Sequence, residues 1–241
     1  EETANKVPYI TYAIEEKADI FATDIEYLNG KLKFVLNVYQ ESSEIVFNSP
    51  GRFNIYNIMA AVACATIYGI DLDLICEALG NLESVKGRFQ KLSVDKDFNI
   101  IIDFAHTPDG LEKVIRAMVN FTQGRIIVVF GAGGDRDRSK RPEMGEVVGH
   151  YADIAIVTSD NPRKEDPEKI INDIIEGIKR TPIKYEKILD RKEAIEFALK
   201  IAKSGDTILI AGKGHEEYII YGDKKYPFKE EEIIKDLLTK I

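Results

Sequence analysis

The chain has 241 residues, 33 of them basic and 41 acidic for a formal net charge of −8, and 44% are hydrophobic. This is a globular composition long enough for two domains, and acid mixed throughout with Lys and Arg excludes a phosphate-backbone footprint, so no nucleic-acid partner is expected. Apolar stretches such as Met59 to Ala65 and Ile126 to Phe130 fall far short of the roughly 20 residues that span a bilayer, and no secretory signal pattern opens the chain, so neither membrane insertion nor export is expected.

Taken in order, the first fifty residues show β-type runs at Tyr9 to Ile14, Ile20 to Tyr27 and Leu32 to Tyr39, with Asn29-Gly30 suited to a hairpin turn, and predict a meander. From Asn54 to Gly69, Ile58, Ala61, Val62, Ala65 and Ile67 recur at helical spacing, and Gly69 is placed to end that helix. A short helix over about Asp71 to Leu82 follows. Cys64 and Cys76, twelve positions apart, lack the paired spacing of a zinc knuckle or redox motif and are expected reduced in a cytosolic core.

The pattern changes at Val85-Lys86-Gly87-Arg88, which predicts a domain boundary. Strands are predicted at Ile100 to Phe104, Arg125 to Gly131, Ile154 to Ser159, Lys184 to Ile188 and Thr207 to Ala211. Helices alternate with them at Asp109 to Phe121, Met144 to Tyr151, Glu168 to Lys179 and Arg191 to Lys203, and an amphipathic helix containing Ile233, Ile234, Leu237 and Leu238 ends the chain. Near-continuous apolar strands in such an alternation imply an α/β fold, a mainly parallel sheet covered on both faces. Thr107 and Pro108 suit the N-cap and first position of the helix carrying Leu111, Val114, Ile115, Met118 and Val119.

Ligands of such sheets bind at the carboxyl ends of the strands, and four polar clusters stand there: Asp103 to Asp109, Gly131 to Arg138, Ser159 to Arg163 and Ala211 to Glu216. Gly131-Ala132-Gly133-Gly134 suits either a phosphate cradle or a tight turn with solvated charges, and Arg136 beside it can fork onto a carboxylate or phosphate. Asp160-Asn161-Pro162-Arg163 offers a carboxylate, an amide and a guanidinium on a stiffened turn. It suits a zwitterionic ligand, or equally a capped turn into the helix at Pro167. Gly212-Lys213-Gly214 lacks the Ser or Thr of a phosphate-binding loop, while Glu216 is either an acceptor for a substrate ammonium or an exposed acid. His106 and His215 lie in strand-end loops and His150 on a helix surface. None has the companions of a metal site, and no Ser or Cys sits in a nucleophile elbow, so neither a metal site nor covalent catalysis is expected.

In order and spacing these clusters resemble the Mur ligase family of peptidoglycan synthesis. Gly51 to Ala61 is similar to its G-x-F-N-x-x-N-x-x-A-A helix, and Gly87-Arg88-Phe89-Gln90 to its G-R-x-E segment with Gln in fourth place. Gly133 to Pro142, Asp160 to Arg163 and Gly212 to Glu216 then follow in register, so the resemblance covers nearly the whole chain. It implies a Rossmann-like C-terminal domain over 87–241, preceded over 1–86 by the β-rich and helical rear part of a central ATPase domain. It also implies an ATP- and magnesium-dependent, cytoplasmic and monomeric amide ligase, which phosphorylates the D-glutamyl carboxylate of UDP-N-acetylmuramoyl-L-alanyl-D-glutamate and joins an amino acid to it.

By the same resemblance Asn57 contacts adenine, and Arg88, Asp103 and His106 line the ribose and phosphate side of ATP. Arg136, Asn161, Arg163, Gly212 and Glu216 hold the amino acid, with Asp160 supporting their loop. The Asp-Asn-Pro-Arg form is similar to that of members using meso-diaminopimelate rather than L-lysine, and Arg163 suits the second carboxylate of that substrate. The sequence departs from the family in having no G-T-x-G-K-T phosphate loop, no magnesium-binding acid, no modified lysine and no UDP-gripping domain. The resemblance therefore implies that this polypeptide by itself neither hydrolyses ATP nor forms the amide, and it holds no catalytic residue or tightly bound cofactor of its own.

Overall fold

The computed structural model describes residues 7–28, 30–49, 51–82 and 85–241. The chain divides into two compact units, Glu1–Glu83 and Ser84–Ile241. In the first, strands β1 (Tyr12–Ile14), β2 (Ile20–Leu28), β3 (Lys31–Val38) and β4 (Glu41–Phe47) form a sheet in that order, and α1 (Phe53–Ile67) and α2 (Leu72–Asn81) follow. Strict alternation along β3 buries Leu32, Phe34, Leu36 and Val38 on one face, where Ile45, Phe47 and the α1 residues Ile55, Met59 and Val62 join them.

The predicted meander holds for β2 and β3, which are antiparallel, and continues into β4, a strand not singled out in the sequence, but β1 runs parallel to β2. The short return between them is clamped by Asp19, whose Oδ2 accepts from the Thr11 backbone N–H at 2.8 Å and the Thr11 hydroxyl at 2.6 Å. Asn29 of the predicted hairpin turn lies outside the described residues. Gly69 does end α1: with φ +71° it donates to Thr66 while Ile70 reaches back to Ala65, the paired bonds of a Schellman cap.

The cysteine expectation fails for Cys64. Both cysteines are free and Cys76, half-buried, packs against the core, but Cys64 is exposed. The inward stripe of α1 runs through Ile55, Ile58, Met59 and Val62, which turns Cys64 and Ile67 outward.

In the second unit, β5 (Gln90–Lys91), β6 (Asn99–Asp103), β7 (Ile126–Phe130), β8 (Ile154–Val157), β9 (Lys184–Lys187) and β10 (Thr207–Ala211) form a sheet ordered β5-β6-β10-β7-β8-β9. All its pairings are parallel except that of β5 with β6. Helices α3 (Pro108–Val119), α4 (Lys140–Tyr151), α5 (Pro167–Ile178) and α6 (Arg191–Ile201) connect the parallel strands, and α7 (Glu230–Leu238) ends the chain. One face of the sheet packs Ile100, Ile127, Val129, Ile156 and Ile208 against Ala194, Ile195 and Leu199 of α6 and Ile234 and Leu237 of α7. α3, α4 and α5 form a row along the strands' other side.

Because β10 returns between β6 and β7, the chain reverses direction there, and a crevice opens at the carboxyl ends of these strands. The Thr107 hydroxyl accepts from Gly110 N–H at 3.1 Å with Pro108 in the first turn, the cap predicted for α3. Helix α4 begins a turn earlier than predicted, since Pro142 falls in a first turn that needs no N–H there. The hairpin of β11 (Tyr218–Tyr221) and β12 (Lys224–Pro227) was not predicted.

Candidate functional site

The strand-end clusters converge on one cavity of about 360 Å³ in the second unit. Phe104, His106 and Thr107 line it after β6, Gly133 and Arg136 after β7, Asp160, Asn161 and Arg163 after β8, and Gly212 and Glu216 after β10.

The β7 and β8 loops are fitted backbone to backbone. Gly134 donates to the Asn161 carbonyl at 2.9 Å, and a Cβ on Gly134 would overlap the Pro162 carbonyl oxygen. Here the glycine run serves loop packing. Behind it Arg141, 1% exposed, forks from α4 onto Glu165 at 2.8 and 3.1 Å and onto Asp173 at 2.9 Å. Glu165 also accepts from Asp135 N–H at 2.6 Å, and the guanidinium beside it lowers its carboxyl to about 2. The Asp-Asn-Pro-Arg turn leads into an α5 capped by Asp166, and its Arg163 is pinned to the β11–β12 hairpin by N–H to Ile220 at 3.0 Å and C=O to Gly222 at 2.7 Å.

Besides Arg141, which Glu165 and Asp173 already pair, two guanidinium groups line the cavity, and they differ in their support. Arg136 is exposed with no hydrogen-bond or ion-pair partner among the described residues. Arg163 is half-buried, and its Nη1 donates to the carbonyls of Gly134 at 2.8 Å and Asn161 at 3.5 Å. Among the described residues neither has a carboxylate partner, so both can receive one from a ligand.

The acidic side of the cavity is built around Asn161. Its Nδ2 donates to Glu216 Oε2 at 2.8 Å, while its Oδ1 accepts from Ile220 N–H at 2.9 Å and Lys213 Nζ at 3.0 Å. Asp160 is 6% exposed, and its Oδ2 is buried without a hydrogen-bond partner among the described residues. Gly212, at φ +115°, passes so close to that oxygen that a Cβ would overlap it, so both backbone angle and space demand glycine there.

Sequence reasoning missed the ions beneath this wall. Lys213 has no exposed surface, and burial pulls its pKa below the usual lysine range although Asp160 and Glu216 oppose the shift. Arg191 on α6 bonds Glu230 at 2.7 Å and the Ala211 carbonyl at 2.7 Å, and burial pushes the Glu230 carboxyl up against the pull of Arg191. Their local sequence offered no signal beyond a lysine between glycines and charged residues at two helix starts.

Of the four residues expected on the nucleotide side, Arg88, Asp103 and His106 gather around Phe89 and Phe104 in the second unit. Asp103 is buried, with Oδ2 accepting from Phe89 N–H at 2.7 Å and Oδ1 from Ala105 N–H at 2.6 Å, and it does not line the cavity. Burial raises its pKa against the pull of those two N–H groups. Arg88 is exposed, its guanidinium 4.5 Å from the centre of the Phe104 ring, which His106 and His215 flank at 4.7 and 5.2 Å. Asn57 belongs to the first unit, exposed on α1. Among the described residues no group of three or more His, Cys, Asp or Glu converges as a metal ion requires, and no helix is long and apolar enough to cross a membrane.

Comparison with known proteins follows the same division of the chain. A family model described as the Mur ligase glutamate ligase domain matches residues 87–214, and one for the Mur ligase middle domain matches 1–65. A UDP-N-acetylmuramoyl-L-alanyl-D-glutamate–2,6-diaminopimelate ligase from Caldanaerobacter subterraneus is 48% identical over 236 residues, 98% of this chain and 49% of its own length. One from Clostridioides difficile is 42% identical over 98% of the chain and 49% of its own length. The chain thus spans about half the length of the curated relatives it matches. Among solved structures, one of a ligase of the same description aligns with TM-score 0.66 at 35% identity, covering 96% of this chain and 47% of that one. MurF from Acinetobacter baumannii shares the fold, with TM-score 0.72 at 20% identity over 99% of this chain and 48% of its own.

Proposed function

The chain belongs to the Mur ligase family, and on that premise we propose that it is the amino-acid-receiving half of an ATP-dependent ligase that adds meso-diaminopimelate to UDP-N-acetylmuramoyl-L-alanyl-D-glutamate. Residues 1–86 are then the rear part of the central ATPase domain and 87–241 the domain that seats the incoming amino acid.

The observation that carries the choice of substrate is Arg163, a half-buried guanidinium in the cavity whose charge meets backbone carbonyls and, among the described residues, no carboxylate. A substrate with a carboxylate at each end satisfies both Arg163 and Arg136, with Arg163 taking the far one. Lysine satisfies only one of them. The ammonium beside the far carboxylate suits Glu216, which Asn161 holds at the cavity wall, while the buried Asp160 supports that wall from behind. Taken at formal charge, Lys213 offsets one of these two carboxylates and leaves one for a single ammonium.

In the reaction ATP transfers its terminal phosphoryl group to the D-glutamyl carboxylate and leaves as ADP. The amino nitrogen bonds to the acyl carbon as the carbon–oxygen bond to phosphate breaks, and the amine proton passes to solvent. The task of this chain is to hold the amino acid so that the second amine stays tethered as an ammonium and the reacting amine stays free, which is catalysis by positioning. Arg88 and His106, on the Phe104 ring, and Asn57 are proposed for the ATP side, where Asp103 acts by fixing the Phe89 backbone next to Arg88. Magnesium would enter with ATP, held by its phosphates and by a residue that the resemblance does not assign to this chain.

A titration of the chain with meso-diaminopimelate and, separately, L-lysine tests the assignment, with amide shifts followed at Arg136, Asn161, Arg163 and Glu216. Saturable shifts with diaminopimelate at concentrations where lysine gives none are expected. Equal response to the two would remove Arg163 from the proposed role.

A further inference from the structure

We propose that Lys213 is a positioning residue for the ligation: a buried cation that aims Asn161 and Glu216 at the ammonium of the incoming amino acid. The inference rests on the assignment of the cavity to that amino acid. Lys213 has no exposed surface, so it cannot serve as a solvent-facing phosphate anchor, the role a lysine between two glycines first suggests.

Its ammonium donates to Asn161 Oδ1 at 3.0 Å and to the Tyr218 carbonyl at 2.9 Å, and it stands 3.6 Å from Asp160 Oδ1 and 3.9 Å from Glu216 Oε2. The first bond joins the Ile220 N–H in holding the Asn161 amide oxygen inward, which leaves its NH2 aimed at Glu216. An Asn can turn over at little cost unless its neighbours forbid it. Two donors at one end and an acceptor at the other forbid it here.

The second effect of Lys213 is electrostatic. Asp160 and Glu216 share one side of the cavity, and two carboxylates left without a cation repel each other and take up a proton or swing apart. Arg191 does not substitute, because its Nε is bonded to Glu230 and its other nitrogens to the carbonyls of Ser159 and Ala211. Lys213 alone among these residues touches both the Asn161 amide and the two acids. It contacts no atom that a substrate could reach except through them.

The test uses the full-length ligase containing this chain. Lys213→Met keeps the length of the side chain and removes the charge. It is expected to raise KM for diaminopimelate roughly tenfold or more, the range for losing a hydrogen bond to a charged group, with KM for ATP and for the nucleotide dipeptide unchanged. In a Glu216→Gln background the same substitution should lose most of that effect, because the residue through which Lys213 acts has already been altered. A parallel rise in all the KM values, or effects of the two substitutions that simply multiply, would overturn the proposal in favour of a purely structural lysine.

A second measurement needs no variant. The Lys213 Nζ resonance of the unmodified protein should shift on addition of diaminopimelate, and an unmoved resonance while the Asn161 and Glu216 amides respond would also overturn it. Failure of the unmodified enzyme to ligate diaminopimelate is a separate result, which defeats the assignment of the cavity before any variant is made.

Discussion

Replacing Glu165 with Gln removes the acid that ties the β7 loop to α4 and leaves the rest of the loop in place. Glu165 meets both arms of the Arg141 fork and the Asp135 N–H, and Arg138 at 2.9 Å. Its carboxyl is lowered from 4.5 to about 2, first by the hydrogen bonds from Arg141. Taken at face value that shift is worth about 3 kcal/mol of folding free energy. Solvent reaches the 12% exposed carboxylate, and Asp173 still faces Arg141 after the change, so about 2 kcal/mol is the figure expected.

The sign follows from the direction of the shift. A carboxyl whose folded pKa lies below its unfolded one stabilises the fold above about 4.5, and that contribution is lost as pH falls towards 2. Urea unfolding followed at the Gly134 and Asp135 amides, for the parent chain and Glu165→Gln, should show the parent more stable by about 2 kcal/mol at pH 7. Less than half of that difference should survive near pH 3. A gap that stays constant between pH 7 and pH 3 would refute the ion-pair origin, and no gap at pH 7 would refute the supporting role of Glu165 altogether.

Arg163→Ala in the full-length ligase should lower kcat/KM for diaminopimelate by roughly 30-fold or more while changing that for lysine little, as expected for losing a charge-assisted bond to one substrate only. Competition kinetics with the two amino acids read this directly. Gly134→Ala forces a Cβ onto the Pro162 carbonyl and should lower stability by about 2 kcal/mol, seen as a fall in Tm together with loss of diaminopimelate binding. Gln90→Glu keeps an acceptor for Gly87 N–H but sets a second carboxylate against Glu231, now bonded to the Gln90 amide at 3.0 Å. A loss of about 1 kcal/mol at pH 7 that shrinks below about pH 4.5 is expected in denaturation experiments. The purified 241-residue chain, whose sequence contains no G-x-x-x-x-G-K-[ST] run, should show no ATP hydrolysis in a phosphate-release assay.

The sequence made the second unit legible where local rules decide. The Thr107-Pro108 start of α3, the apolar strands and the helices between them follow from capping and periodicity, and the strand-end rule then gathers four polar loops without knowledge of any contact. What escaped depends on partners far apart in the chain. Lys213 reads as a loop lysine until Asn161 and Asp160, some fifty positions earlier, are brought beneath it. Arg191 and Glu230 look like ordinary helix-end charges until the sheet buries them together. The parallel placement of β1 depends on Asp19 reaching back to Thr11, which no alternation of apolar residues records. The missed β11–β12 hairpin did carry a signal, since Gly222-Asp223 separates the Tyr-bearing runs Tyr218–Tyr221 and Lys224–Pro227.

Asp103 ties together two stretches of backbone that serve different ends. One of its oxygens grips Phe89, where the polypeptide enters the second unit, and the other grips Ala105, at the lip of the cavity beside Phe104 and His106. A single carboxylate therefore acts as a rivet between the doorway of the unit and the rim of its binding site. Displacing Phe89 relative to Ala105 would stretch one of two short bonds to the same carboxylate, so the entrance of the unit and the rim of its cavity share one anchor.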